Sequence, residues 1–371
     1  MAAPGAAPIQ VSLDSISSGT PTEDLLTLVL QANPRVSDIV FSPGRNFQIH
    51  ANGEFVSLEI PGFPPLSADD TRRIASDLIG NNKAAIGLLR EHGFCDISYA
   101  LPRVARFRVN VFIQRGSCAV VMRVIPTVIP DFKALSLPSQ LKEVCDLYDG
   151  LVLVVGPRGS GKSSTMAALL DHMNENATRH IITIEDPIEF LHNHKRSTIH
   201  QRELYSDTPS ISEAMRAALR QAPNVIAVGE LKDRETMELA LEGAESGHLV
   251  LSTLNTINAQ QTIDRFVNAF PTEEHRSVRG RLGRMLRFVI SQRLVPRKDD
   301  SGRSAVFEVL KSGSDALNRL LNSDLHGENA DFGIDSQIED LVRAGIVSRE
   351  VAMSHAVDSR ALAERLAASE R

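Results

Sequence analysis

Apolar residues follow two different rhythms along this chain, and the change between them divides it. From Pro21 a helical pattern (DLLTLVLQA) leads into short segments that alternate apolar and polar residues, SDIVFSP and FQIHANGEFVSLEI, with Asn52-Gly53 as a hairpin turn signal. A helix-period stretch runs from Ser67 to Leu89. Strand-like runs follow at Asp96 to Leu101, Phe107 to Ile113 and Cys118 to Val124. This pattern predicts a small α+β domain over residues 21–126, and a proline-punctuated connector (IPTVIPDFKALSLP) makes 127–149 a linker. Residues 150–295 alternate buried strands with helices, the pattern of a parallel sheet under covering helices. Residues 1–20, rich in Ala, Pro, Gly and Ser, read as a disordered tail, and 296–371 as a helical, polar-faced C-terminal region.

Within the second rhythm, the stretch VVGPRGSGKSSTMAALLDHMN carries the first chemistry. Leu151 to Val155 is a short buried strand, and Ser163 to Met173 has apolar residues at helical spacing. Between them lies Gly156-x-x-x-x-Gly161-Lys162-Ser163. Such glycines let backbone N–H groups converge on phosphate oxygens, at the positive end of the following helix. Gly156, Pro157, Arg158, Gly159, Ser160, Gly161, Lys162, Ser163 and Ser164 are therefore the expected nucleotide-binding residues. Lys162 reaches for the β- and γ-phosphates and the Ser163 hydroxyl for Mg²⁺. An accidental glycine-rich turn is the alternative, and the flanking strand and helix argue against it.

A phosphate loop says only "nucleotide", and three later segments narrow it. IITIEDPIEF reads as a strand from Ile181 ending in Glu185, Asp186 and Glu189, at an edge where carboxylates face a nucleotide crevice. NVIAVGELKD contains a second strand, Val225 to Val228, leading to Glu230, where an acid that organises Mg²⁺ is expected. GHLVLSTLNT has His248 at its start and Thr253, Asn255 and Thr256 at its end, suited to sensing a γ-phosphate. Acidic strand ends also serve as helix caps and lone histidines are commonly structural, so the weight lies in the order of the segments.

Composition removes competing classes. A net charge of −6 argues against dominant nucleic-acid binding. Cys95, Cys118 and Cys145 are widely spaced with no C-x-x-C pair, which points to reduced thiols rather than a disulfide frame or zinc site. MAAPGAAPIQ lacks the basic and apolar regions of a signal peptide, and no apolar run approaches a membrane span.

These motifs resemble the PilT-like retraction ATPases of type IV pili, within the type II/IV secretion ATPase superfamily, nearly collinearly from Asp24 to Val357. GPRGSGKS matches that family's Walker A, ITIEDPIEF its Asp box, VGELKDRET its atypical Walker B and AESGHLVLSTLNT its His box. RFRVNVFIQRG and MRVIP resemble the segments that carry its arginine fingers. The resemblance implies an α/β fold: a RecA-like P-loop ATPase core, a smaller PAS-like α+β N-terminal domain and a helical C-terminal tail. It implies ATP and Mg²⁺, with Glu189 as the general base, Glu230 supporting the metal alongside Ser163, and Arg108 and Arg123 acting in trans. It further implies a cytoplasmic homohexamer, peripheral to the inner membrane, working with a pilus or secretion platform protein and with a paralogous motor as a possible companion.

Three departures bear on that reading. Arg158 stands where the family commonly has Thr, Asn255 replaces a His-box histidine, and the family's C-terminal retraction motif survives only as ALNRLLNSD, Ala316 to Asp324. These keep an accessory PilU-type motor and a DotB-like secretion ATPase open. A nucleic-acid translocase is the reading of a different class. It rests on a helix predicted over Arg276 to Arg293, with Arg276, Arg279, Arg284 and Arg287 on one face and Val278, Leu282, Met285, Leu286, Val289 and Ile290 on the other. An intersubunit or solvated face suits those arginines better, so no nucleic-acid partner is expected. His248 is expected to sense the phosphate and Asn255 to relay through hydrogen bonds that do not titrate.

Overall fold

The computed structural model describes residues 9–10, 20–33, 36–51, 54–59, 64–102, 104–125, 128–299, 302–322 and 333–368. The chain divides into two compact units, Met1–Val128 and Ile129–Arg371.

The first unit runs β1 (Ile9–Gln10), α1 (Thr22–Ala32), β2 (Val36–Phe41), β3 (Phe47–Ala51), β4 (Glu54–Glu59), α2 (Ala68–Ile79), α3 (Lys83–His92), β5 (Phe94–Leu101), β6 (Ala105–Gln114) and β7 (Ser117–Ile125). The strands form one sheet in the order β1-β4-β3-β2-β7-β6-β5, antiparallel except for the β1–β4 pair. Alternate residues Ile39, Ile49, Phe107, Val109, Val111 and Met122 are buried in one core with Leu25, Leu26 and Ile74 of the helices. The intervening positions stay wet, as the period of two requires. The predicted helix over Ser67 to Leu89 is two helices. Gly80 ends α2 at φ 54, and the Asn82 side chain accepts from the Ala85 N–H to start α3. A left-handed glycine followed by a good N-cap outweighs a continuous apolar period. The Asn52-Gly53 turn and most of the expected tail lie outside the described residues, whereas Ile9–Gln10 pairs with Leu58–Glu59.

The second unit runs α4 (Lys142–Asp146), β8 (Gly150–Val155), α5 (Lys162–Asn176), β9 (His180–Glu185), β10 (Thr198–Glu203), α6 (Ile211–Ala218), β11 (Val225–Val228), α7 (Arg234–Glu245), β12 (Leu249–Leu254), α8 (Ala259–Asn268), α9 (His275–Met285), β13 (Leu286–Pro296), β14 (Arg303–Lys311), α10 (Asp315–Asn322), α11 (Ile334–Arg343), α12 (Arg349–His355) and α13 (Ser359–Ala368). Its sheet has the order β10-β9-β11-β12-β8-β13-β14, parallel except for the last pair. Every residue of β8, β11 and β12 is buried, as expected of central parallel strands covered on both faces. Two separate cores lie on those two faces.

Two expectations change here. The helix predicted over Arg276 to Arg293 stops at Met285, and Leu286–Pro296 is a strand paired with both β8 and β14. Val289 and Ile290, assigned to one helical face, belong to opposite cores. Burial on both sides of a strand selects that conformation over the local helical period. The sheet also continues past Pro296 through β14, so the C-terminal region is not purely helical. α11, α12 and α13 gather their own small core around Ile334, Ile338, Val347 and Leu362.

Candidate active site

The loop after β8 leaves the C-terminal edge of the sheet, where parallel-sheet proteins build their ligand sites. Its glycines are there for space and torsion. Gly156 has φ 154, and a Cβ on it would strike the Gln292 carbonyl and the Ser160 hydroxyl. Gly161, at φ 89, leads directly into α5, and a Cβ there would come within 2.8 Å of Gln292 Nε2. Gln292 supports the loop from β13: its Nε2 donates to the Ser160 carbonyl at 2.5 Å and its Oε1 accepts from Thr165 at 2.7 Å. Lys162 Nζ donates to the carbonyls of Gly156 and Pro157 at 2.8 and 3.0 Å, so the lysine lies over the loop it follows. Burial pushes its pKa below the usual lysine range, opposed by the carboxylates of Glu230 and Glu189.

Those two acids arrive from neighbouring strands. β9 ends at Glu185, sooner than the predicted Ile181 to Phe190 strand, and the chain turns so that Glu189 Oε1 accepts from the Ser163 hydroxyl at 3.0 Å. Glu230 follows β11, and its Oε1 accepts from Asn255 Nδ2 at 2.6 Å. Thr253 donates to the Gly229 carbonyl at 2.5 Å, fixing the exit of β11. Glu185 is itself half-buried. Desolvation raises its pKa, while hydrogen bonds from Thr183 and Gln201 hold it down.

Ser163, Lys162, Glu189, Glu230 and Asn255 thus form one cluster at one sheet edge. The donor set suits Mg²⁺ bound with phosphates: a hydroxyl and two carboxylates are hard oxygen ligands, beside a loop whose glycines leave room for phosphate oxygens.

His248 does not belong to this cluster within its own chain. It precedes β12, and Gly150 N–H donates to its carbonyl at the start of β8, at the opposite sheet edge. At about 3.3 Å per residue the length of β12 separates it from Asn255 by roughly 20 Å. Its Nδ1 lies 3.1 Å from the Gly243 carbonyl, a partner at the end of α7. Within one chain, strand direction therefore sets His248, expected to sense a γ-phosphate, apart from this cluster and brings Asn255 into it.

Arg108 and Arg123 lie in the first unit, directly opposite each other on β6 and β7, with Arg123 Nε donating to Asp38 at 2.8 Å. Both are exposed. Three arginines of the basic run after Pro271 meet carboxylates. Arg279 faces Asp264 at 3.4 Å, Arg281 faces Glu238 and Glu245 at 2.8 Å, and Arg287 faces Asp149 at 2.5 Å. Two of the four arginines predicted to share one face, Arg279 and Arg287, are thus already paired with carboxylates rather than left for a phosphate backbone.

The sequence reading missed Gln292, Gln201 and Glu203, whose side chains hold the loops of the site. The available signal was a polar residue inside an otherwise apolar strand, as in VISQRLV.

A glycine loop closing a parallel strand, a lysine over it and two convergent acids define a P-loop ATPase with a RecA-like core. Residues 96–348 match the family described as Type II/IV secretion system protein. The chain is 39% identical over 339 residues to the type IV pilus retraction ATPase PilT of Pseudomonas aeruginosa, covering 89% of this chain and 96% of that one. It is 35% identical over 343 residues to the type IV pilus ATPase PilU of the same organism, covering 90% and 88%. The crystal structure of the pilus retraction motor PilT with bound ADP superimposes with a TM-score of 0.83 at 38% identity, covering 92% of this chain and 99% of that one. The chain belongs to the type II/IV secretion system family, among its PilT-like ATPases. No described helix is long and apolar enough to cross a membrane.

Proposed function

We propose that this chain is a subunit of a ring-shaped motor that couples ATP hydrolysis to retraction of a type IV pilus. The observation that carries the chemistry is the 3.0 Å contact from Ser163 to Glu189 beside Lys162. It brings a metal-binding hydroxyl, a phosphate-binding cation and a candidate base within reach of one phosphoryl group.

In this reading the loop N–H groups and Lys162 hold the β- and γ-phosphates, and Ser163 and Glu230 hold Mg²⁺. The metal supplies charge neutralisation on the phosphate oxygens when bound. Glu189 orients the attacking water and accepts its proton. Asn255, donating to Glu230, keeps that carboxylate aimed. Arg108 and Arg123 stabilise charge on the transferring group of a neighbouring subunit's nucleotide, as guanidinium groups do in phosphoryl transfer. This trans arrangement requires a neighbouring subunit, and the assembly in this reading is a homohexamer on the cytoplasmic side of the inner membrane, docked on a pilus platform protein.

The similarity to PilU over nine-tenths of the chain also supports an accessory role beside a second motor. Removing the chain from its host tests the proposal. Retained surface pili that no longer shorten support a retraction motor. Loss of pili points to an assembly motor, and normal pilus retraction with a secretion defect to the DotB-like alternative. Normal retraction with no such defect leaves the accessory role.

A further inference from the structure

The loop that delivers Glu189 is held from outside the nucleotide motifs. Gln201 lies on β10, the edge strand, in register with Thr183 of β9. Its Nε2 donates to Glu185 Oε1 at 2.9 Å and to the Phe190 carbonyl at 2.8 Å. Its Oε1 accepts from the His192 N–H at 2.8 Å. One amide therefore ties the end of β9 to the backbone on both sides of Leu191. Two residues on, and on the same face of β10, Glu203 is only 3% exposed, and its Oε2 accepts from the Ile188 N–H at 3.1 Å. Glu185 Oε2 lies 3.4 Å from the Glu189 N–H, and Glu185 Oε1 accepts from Thr183 at 2.6 Å. Backbone groups at 188, 189, 190 and 192 thus each meet a side chain from β9 or β10.

Position is what a general base needs. The Glu189 backbone has no strand ladder of its own, because β9 has ended at Glu185. A free loop would let the carboxylate wander by more than the ångström or so that phosphoryl transfer tolerates. We infer that Gln201 is a positioning residue of the ATPase reaction: it clamps the 185–192 loop so that Glu189 meets Ser163 and the attacking water. Glu203 holds the first half of the same loop. Neither residue belongs to the phosphate loop or to the Ser163–Glu189 pair. The inference rests on the reading of Glu189 as the base, and it predicts which kinetic constant moves: turnover falls while nucleotide affinity stays.

The test uses the full chain and measures steady-state ATP turnover alongside ADP affinity. Gln201→Leu, similar in length but without the amide, is expected to lower kcat by about 30- to 100-fold with KM and ADP affinity within about threefold of the parent. Gln201→Glu, which removes both donors and faces Glu185 with a second carboxylate, is expected to lose as much. Adding Glu185→Gln to it restores one donor with reversed polarity and is expected to recover at least about fivefold. In a Glu189→Gln background, Gln201→Leu should add little further loss, because it acts through Glu189. Turnover of Gln201→Leu within about twofold of the parent overturns the inference. So does loss of ADP binding in step with turnover, an additive loss in the Glu189→Gln background, or a Gln201→Glu/Glu185→Gln pair no better than Gln201→Glu. That pair decides the matter even if the leucine variant does not fold. Near-parental turnover of Glu189→Gln alone is a different failure, that of the base assignment.

Discussion

Arg108 and Arg123 stand opposite one another across β6 and β7, two like charges at a register position where cross-strand pairs ordinarily attract. Asp38, opposite Arg123 on β2, compensates one of them. An exposed face that retains such a pair is suited to an anion. Arg108→Ala is therefore expected to leave thermal stability unchanged or slightly raised while cutting ATP turnover by about 10³-fold. Mixing it with Lys162→Ala protein should restore part of the activity if the arginine serves a neighbouring subunit. Turnover near the parental level in Arg108→Ala and Arg123→Ala alike would falsify the trans role.

Lys162→Ala is expected to abolish turnover and weaken nucleotide binding, since the loop loses the cation that its own carbonyls now hold in place. ATP hydrolysis at the parental rate in this variant would overturn the phosphate-loop assignment.

Glu189→Gln keeps the shape of the side chain and an acceptor for Ser163 but cannot take a proton at neutral pH. Turnover should fall by about 10²- to 10⁴-fold with ADP affinity retained. Parallel loss of both would make Glu189 a structural residue.

Asn255 separates two chemistries at one position. Asn255→Asp brings a second carboxylate against Glu230 across a 2.6 Å contact, so turnover at pH 7.5 should fall and recover partially as the pH is lowered toward 5.5. Asn255→His should be tolerated and introduce a pH dependence near neutrality. His248→Ala, at the far end of β12, should change turnover less than Asn255→Ala does. The reverse ranking, measured across pH 6 to 8, would support His248 as the phosphate-sensing residue.

Burial holds the Glu185 pKa above its unfolded value. A raised carboxyl favours the folded state while protonated, below the unfolded pKa near 4.3, and that advantage is lost as pH rises through the folded value. Glu185→Gln removes the titration. Its melting temperature relative to the parent should therefore rise between pH 4 and pH 8, and about 1 kcal/mol of relief would show as roughly 2–4 °C. A difference that stays flat over that range would mean Glu185 has no raised pKa.

What the residues determined alone was local. Gly156, Gly161 and Lys162 announce a phosphate loop because positive φ and a helix start are short-range requirements, met within eight residues. The acids Glu189 and Glu230 were legible because each follows a buried apolar run, and the two-domain division because period two gives way to alternating strand and helix. The tertiary structure decided everything that depends on which strand lies beside which. Arg276 to Arg293 has a helical apolar period, yet pairing with β8 and β14 makes the chain a strand from Leu286 onward. The direction of β12 carries Asn255 to the nucleotide edge and His248 away from it, although both belong to one motif. Gln201 reaches Phe190 only because β10 lies alongside β9, and Gln292 reaches Ser160 from a strand more than a hundred residues later. Periodicity reports which face of an element is buried; it carries no information about the neighbour that buries it, and this site is built from those neighbours.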